Sequence, residues 1–183
     1  MLSLFLPLAH GSIEGIGDLW NGALHPLRSP AQIMVLLGLG LFLGQRRRLR
    51  GNVGAFLLAV LVGLALTQWR AIPEPPASLL CLLSMLIGAL VALRKPFPSG
   101  VERFLFAASG FLLGWDSQPE DVTFWSAFKV LLGVWVGLAV LLLNFGNYAQ
   151  MAPKKAWVKI GFRVLGSWIL AVSILYLAFN LKK

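Results

Sequence analysis

Few side chains in this sequence could do chemistry, and several of them lie near one His-Pro pair. His25 and Pro26 stand at the entrance to an apolar stretch, and Gln32 follows about two turns later. Imidazole nitrogen is a common ligand of borderline divalent metals. His10 lies upstream and Asp116 far downstream, and both fall on the same side as His25 if the apolar stretches cross a membrane. The first hypothesis is therefore a metal site built from His25, His10 and Asp116, with Gln32 as a polar group at its entry.

Each of these residues also has a structural interpretation. His25 could cap a turn before Pro26, and Asp116 could be a solvated loop acid or a helix cap. No predicted span carries a carboxylate at its centre, which argues against a proton relay. The sequence contains no nucleophile-base arrangement, phosphate-binding loop or zinc-ligand spacing, so we predict that the protein is not an enzyme. The single cysteine, Cys81, excludes a disulfide within the chain.

The composition identifies the environment in which these residues must work. Of the 183 residues, 58% are hydrophobic and 13% are charged, and the mean hydropathy is +0.79. Soluble domains carry about 25% charged residues. The net charge of +9 is concentrated in short loops between apolar runs. This distribution is typical of membrane proteins, and it argues against nucleic-acid binding.

The apolar runs predict an all-α, polytopic membrane bundle of about six transmembrane helices. We predict spans at residues 29–44, 52–68, 77–93, 100–115, 122–145 and 157–181. Residues 1–28 form a separate interfacial or re-entrant segment that resembles a signal sequence, and residues 29–183 form a single bundle. Cleavage after Ala9 and an uncleaved interfacial start are both open.

The loop charges predict the orientation. The loops after the first, third and fifth spans carry net charges of +4, +2 and +4, whereas the regions on the other side carry −1, 0 and −3. Basic loops stay in the cytoplasm, so both termini should lie outside it. The arginine run after the first span is predicted to anchor the topology against anionic lipid. Its members are Arg46, Arg47, Arg48 and Arg50.

Glycines four residues apart occur on three spans. Small residues at this spacing allow helices to approach closely in lipid. The pairs are Gly40 with Gly44, Gly110 with Gly114, and Gly133 with Gly137. They predict a tight bundle, and they are also faces through which other membrane subunits could bind.

The stretch at residues 22–45 resembles the HupE/UreJ family of small bacterial membrane proteins, which are hydrogenase and urease accessory proteins. The resemblance is carried by His25-Pro26-Leu27 ahead of an apolar span, and by Ala9-His10 where the family's signal peptide commonly ends. The length, the six predicted spans and the late segments at residues 110–121 and 163–179 agree with it. The family's acid and second histidine correspond here to residues 31 and 32, an alanine and a glutamine, and the histidine-rich stretch near span four is replaced by residues 113–117.

The resemblance implies a bacterial inner-membrane protein that carries nickel or cobalt, or that supplies metal to a hydrogenase or urease. It leaves His25 as the matched ligand of a degenerate metal site, with nickel or cobalt as the bound or transported ion. The alternative is a non-enzymatic structural or assembly subunit of a larger membrane complex.

Overall fold

The computed structural model describes residues 15–46, 49–68, 73, 75–119, 123–152 and 155–181. The regular structure within these ranges is entirely helical, which confirms the all-α prediction. The helices are α1 (Asp18–Arg28), α2 (Pro30–Gly44), α3 (Leu49–Leu66), α4 (Ala77–Leu93), α5 (Ser99–Trp115), α6 (Phe124–Met151) and α7 (Ala156–Leu181). His10, the cleavage position after Ala9, Arg47 and Arg48 lie outside the described residues.

The first two helices form a bent pair with an angle of 78° between them. The break falls at Ser29, which is extended with φ −97° and ψ 110°. Proline disfavours helical backbone in the residue before it but suits the first position of a new helix, which is where Pro30 lies. The Ser29 hydroxyl accepts the backbone N–H of Gln32 at 3.4 Å and so caps α2. Pro26 lies inside α1 and does not end it.

Both halves of this pair pack along α6, and their contacts proceed in one direction. The facing positions are Leu19 with Gly133, Ala23 with Gly137, Gly40 with Phe145 and Gly44 with Ala149. A Cβ atom on any of these four glycines would collide with the facing residue. The chain therefore follows α6 from near its beginning to near its end, despite the break.

The remaining glycine contacts pair α3 with α5 and α4 with α7. In the first pair, which is parallel, Gly110 and Gly114 lie against the backbone of Phe56 and Val60. In the second pair, which is antiparallel, Gly88 lies against Gly166, and the Ser84 and Ser173 hydroxyls are 2.6 Å apart. Backbones approach this closely only where a side chain is missing.

The helix at the centre of the bundle is α2. It contacts α1, α4, α5, α6 and α7, and its residues Val35, Leu36 and Leu39 are fully buried. A helix that is apolar on all sides is expected in such a position. Gly38 of α2 lies against Ile87, and Gln45 donates to the Val91 carbonyl, so α2 and α4 run in the same direction.

By these contacts α2, α4 and α6 run in one direction, and α7 runs in the opposite direction. In the described part of the chain, α6 and α7 are each long and apolar enough to cross a membrane, and the bent pair supplies a third such candidate. The apolar segments Arg50–Leu66 and Ala77–Leu93 are shorter. The structure therefore supports a membrane protein with two or three candidate spans by helix length alone.

The largest difference from the predicted boundaries is at the end of α6. The polar run after Phe145 favours a loop, but the helix continues to Met151. Gly146 packs against the Leu43 side chain and Ala149 against Gly44, so the extra turns are held by α2. Packing against a neighbour outweighs the low helix propensity of these polar residues and glycine.

Candidate functional site at the broken helix pair

The buried end of α2 carries a polar side chain. Gln32 is the third residue of α2 and its exposed fraction is 0%. Its neighbours along the helix are alanine, isoleucine and methionine. An amide buried among apolar groups must be hydrogen-bonded, because desolvation without a partner is costly.

The partners of Gln32 come from the end of α5. Gln32 Nε2 donates to Asp116 Oδ2 at 2.7 Å and to Ser117 Oγ at 3.4 Å. Ser117 is 1% exposed, and its hydroxyl donates to the Leu113 carbonyl at 2.8 Å. We call this group of Gln32, Asp116 and Ser117 the amide contact. It joins two of the residues selected from the sequence, Gln32 and Asp116, across 84 positions.

The charge of Asp116 is stabilised by the bent pair. Asp116 follows the last turn of α5, where the helix dipole is negative and disfavours an anion. The amino-terminal end of α2 has the opposite polarity, and the Gln32 amide donates directly to the carboxylate. The other amide atom, Gln32 Oε1, is buried and has no hydrogen-bond partner among the described residues. The amide contact therefore offers a carboxylate, a hydroxyl and a spare carbonyl oxygen.

His25, the other candidate ligand in the described ranges, is in the last turn of α1, one turn before the break, and its Nε2 atom is buried. Cys81 on α4 is 2% exposed. Within the described ranges, no group of three or more His, Cys, Asp or Glu side chains is placed to hold a metal ion.

The opposite end of α2 carries an ion pair. Arg46 Nε lies 3.3 Å from Glu102 Oε1, and the two side chains are 13% and 7% exposed. The Arg46 guanidinium lies 4.6 Å from the centroid of Phe42 and 5.7 Å from that of Phe97. It also donates to the Lys95 carbonyl. We call Arg46 and Glu102 the ion-pair contact.

The two contacts define an antiparallel alignment of α2 and α5. The facing pairs are Gln32 with Asp116, Phe42 with Phe106, and Arg46 with Glu102. The Phe42 and Phe106 rings are 6.2 Å apart between centroids. The amide and ion-pair contacts are about 20 Å apart at the helical rise of 1.5 Å per residue. Both ends of this helix pair are therefore closed by polar side chains, with apolar packing between them.

The family model described as HupE / UreJ protein matches residues 1–176. The chain belongs to the HupE/UreJ family. No curated protein and no solved structure matches it significantly. Family membership confirms the resemblance and indicates a membrane protein of nickel or cobalt transport or of metallocentre accessory function.

The donor atoms in this HupE/UreJ chain differ from those that nickel and cobalt favour. Both metals are well served by imidazole nitrogen, whereas the amide contact supplies oxygen atoms. His25 is the one histidine within the described ranges. The amide contact could present the Gln32 carbonyl oxygen and the Asp116 carboxylate to a cation, but it supplies no nitrogen ligand.

Sequence reasoning missed two residues of these contacts. Ser117 was noted only within residues 113–117, which replace the family's histidine-rich stretch. Its position beside Asp116 could have marked it as a candidate. Glu102 was counted only as a loop charge, although it is 6% exposed and paired. Arg46 was predicted as a lipid anchor together with Arg50, but the structure holds Arg46 within the bundle and leaves Arg50 exposed.

Proposed function

We propose that this protein is a nickel or cobalt permease or metallocentre accessory protein of the bacterial inner membrane, with a degenerate metal site. The observation that carries the proposal is the hydrogen bond from buried Gln32 to half-buried Asp116 at a broken helix in a HupE/UreJ chain. Broken helices within a membrane expose helix ends and polar groups that coordinate ions. In this proposal the metal ion is cargo, and the protein catalyses no covalent reaction.

The proposed topology has six crossings, with α1 and α2 together forming the first. A re-entrant loop would return to the side from which it entered. The contacts of this pair instead advance along α6, from Gly133 and Gly137 to Phe145 and Ala149. Consecutive helices from α2 to α7 run in opposite directions, and this alternation supports the other five crossings. Helices shorter than the usual span of about 20 residues then require local thinning of the bilayer or polar ends.

The proposed orientation places the ion-pair contact at the cytoplasmic side. Arg46, Lys95 and Arg163 lie together at this end, where Arg163 donates to the Ala92 carbonyl at 3.0 Å. Basic residues are retained in the cytoplasm during insertion. Both termini and the entry to the amide contact then lie on the periplasmic side.

In this arrangement the cargo ion would enter beside His25, with His10 and Asp116 as further ligands and Gln32 as the polar group at the entry. The Asp116 carboxylate attracts the cation, and Gln32 must exchange its hydrogen bond for a metal contact. The ion-pair contact would close the cytoplasmic end. Opening it requires the separation of two poorly hydrated charges.

The test is the metal content of detergent-purified protein. Nickel, cobalt and copper would be titrated into the wild type, His25→Ala and Asp116→Asn, with elemental analysis of each. We expect about one metal ion per chain in the wild type and at least a tenfold loss of affinity in both variants. Ser167→Ala, which changes an exposed hydroxyl on α7, should retain the metal. Absence of metal from every sample would overturn the proposal. If His25→Ala retains the metal, His25 is not a ligand of the proposed site.

The second proposal is a non-enzymatic assembly subunit. It is favoured by Asn144, which is exposed on α6 and bonded only to its own helix at Val140. The six glycines that could have formed partner faces are instead covered by helices of this chain. A partner that co-purifies from native membranes and is lost in Asn144→Leu would support this role.

A further inference from the structure

An apolar cleft separates α3 from α6. Its volume is about 530 Å³, within the usual range for ligand-binding cavities. The α3 wall includes Leu61 and Leu64, and the α6 wall includes Phe128, Leu132 and Trp135. Phe128 is 54% exposed, so the cleft is open on one side. It is separate from the amide contact, none of whose residues line it.

The cleft has a floor and a mouth. At the floor, the indole N–H of Trp135 donates to the Leu57 carbonyl at 3.2 Å and joins the two helices. At the mouth, Gln68 near the end of α3 lies across from Phe124 at the start of α6. The distance from Leu57 to Gln68 along α3 is about 16 Å at 1.5 Å per residue. The cleft therefore runs along the helices and narrows toward the middle of the bundle.

This depth matches one leaflet of a bilayer. The hydrocarbon core is about 30 Å thick, so each leaflet contributes about 15 Å. Phe124 and Trp125 are 73% and 69% exposed at the mouth, the level at which aromatic side chains meet lipid headgroups. An acyl chain entering at this level would reach the Trp135 floor.

A basic residue directly follows Phe128, one of the residues that line the cleft. Lys129 is exposed on α6, next to Phe128 and one turn after Trp125. Its side chain is long enough to extend toward the headgroup level, as lysines near helix ends commonly do. The apolar walls alone would not prefer one lipid over another, because an acyl chain has a similar environment in the bilayer. A positive charge at the rim gives preference to an anionic headgroup.

We infer that this cleft binds one acyl chain of an anionic phospholipid, taken from the leaflet at the amino-terminal end of α6, and that Lys129 binds its phosphate. The inference requires that α3 and α6 cross a membrane, but not that the protein carries a metal. The bound chain fills the space between α3 and α6, which the Trp135–Leu57 hydrogen bond joins. It therefore completes the packing of α3 and α5 against the rest of the bundle.

The test is native mass spectrometry of the detergent-purified chain with equal amounts of phosphatidylglycerol and phosphatidylethanolamine. We expect the wild type to retain phosphatidylglycerol about fivefold more than phosphatidylethanolamine, since one basic side chain near a membrane surface contributes about 1 kcal/mol. Lys129→Gln should abolish the preference. Lys159→Gln, an exposed lysine at the start of α7, should leave it unchanged.

A second variant tests the cleft itself. Ala65 lines the cleft, and Ala65→Trp should fill it and lower retention of both lipids severalfold. Equal retention of both lipids by the wild type, or no effect of Ala65→Trp in a folded sample, would overturn the inference. A second copy or another polypeptide occupying the cleft in place of lipid would also overturn it.

Discussion

The two ends of α2 are fastened to α5 by different chemistry. At the amino-terminal end, a neutral amide donates to one carboxylate and a hydroxyl. At the carboxyl-terminal end, a guanidinium faces a carboxylate and also lies over two aromatic rings. Gln32 and Glu102 are buried, whereas Asp116 and Arg46 are half-buried, so both contacts are partly shielded from water and salt. The ion-pair contact joins two opposite charges, whereas the Gln32 amide is neutral.

This difference bears on which end can open. Separating Arg46 from Glu102 takes the partner away from each of two opposite charges in a site that water reaches poorly. Moving Gln32 away from Asp116 removes one hydrogen bond from a carboxylate, which an incoming cation could then contact. The amide contact is therefore suited to exchange partners with a ligand, whereas the ion-pair contact is suited to hold two helices together.

Breaking the ion-pair contact should have the largest effect. Glu102→Ala leaves Arg46 charged in a site where only 13% of its side chain is exposed. We expect a loss of about 3–5 kcal/mol in the free energy of unfolding, measured by SDS titration in mixed micelles. The double variant Arg46→Met with Glu102→Leu should recover more than half of this loss.

The matched control is Arg103→Ala. Arg103 is the exposed neighbour of Glu102, and its removal should change the free energy of unfolding by less than about 0.5 kcal/mol. If Glu102→Ala and Arg103→Ala lower the free energy of unfolding equally, the ion pair does not stabilise this end of α2 more than an exposed charge does.

Removing the amide should have a smaller effect. Gln32→Leu takes away the donor at 2.7 Å from Asp116 while keeping a side chain of similar size. We expect a loss of about 1–3 kcal/mol, the usual cost of leaving a buried polar group without its partner. Asp116→Asn in the same chain should restore part of it, because the stranded group is then neutral. Gln68→Leu, an exposed glutamine on the cleft rim, is the control. A loss in Gln32→Leu that Asp116→Asn deepens would contradict the proposed role of the charge.

The smallest effect is expected at Ser117. Ser117→Ala removes a bond of 3.4 Å from Gln32 and a bond of 2.8 Å to the Leu113 carbonyl. We expect a loss of about 0.5–1 kcal/mol in unfolding free energy. Ser167→Ala removes a similar 2.8 Å bond at an exposed position and should have no measurable effect. A larger loss in Ser117→Ala than in Gln32→Leu would make the hydroxyl, rather than the amide, the centre of this contact.

The sequence was sufficient to predict a helical bundle and to select Gln32 and Asp116 as candidates. Both follow from local pattern, since a polar residue beside an apolar run is visible without a structure. Their contact was not predictable, because it depends on the alignment of two helices separated by 84 positions. Glu102 was missed for the same reason, since its burial requires Arg46 from another helix. At the end of α6, local propensity favoured a loop, but packing of Gly146 on Leu43 extended the helix.

The bent pair has a consequence for how the protein is made. α1 and α2 are synthesised first, yet the helix that they follow, α6, ends at Met151. At about 5–20 residues per second, the ribosome completes α6 roughly 5–20 s after it completes α2. During that interval α1 and α2 cannot yet pack against α6. Gln32 also lacks its hydrogen-bond partner Asp116 until α5 has been made. The bent pair is therefore made before most of the helices that it packs against, and it is among the last elements to complete its packing.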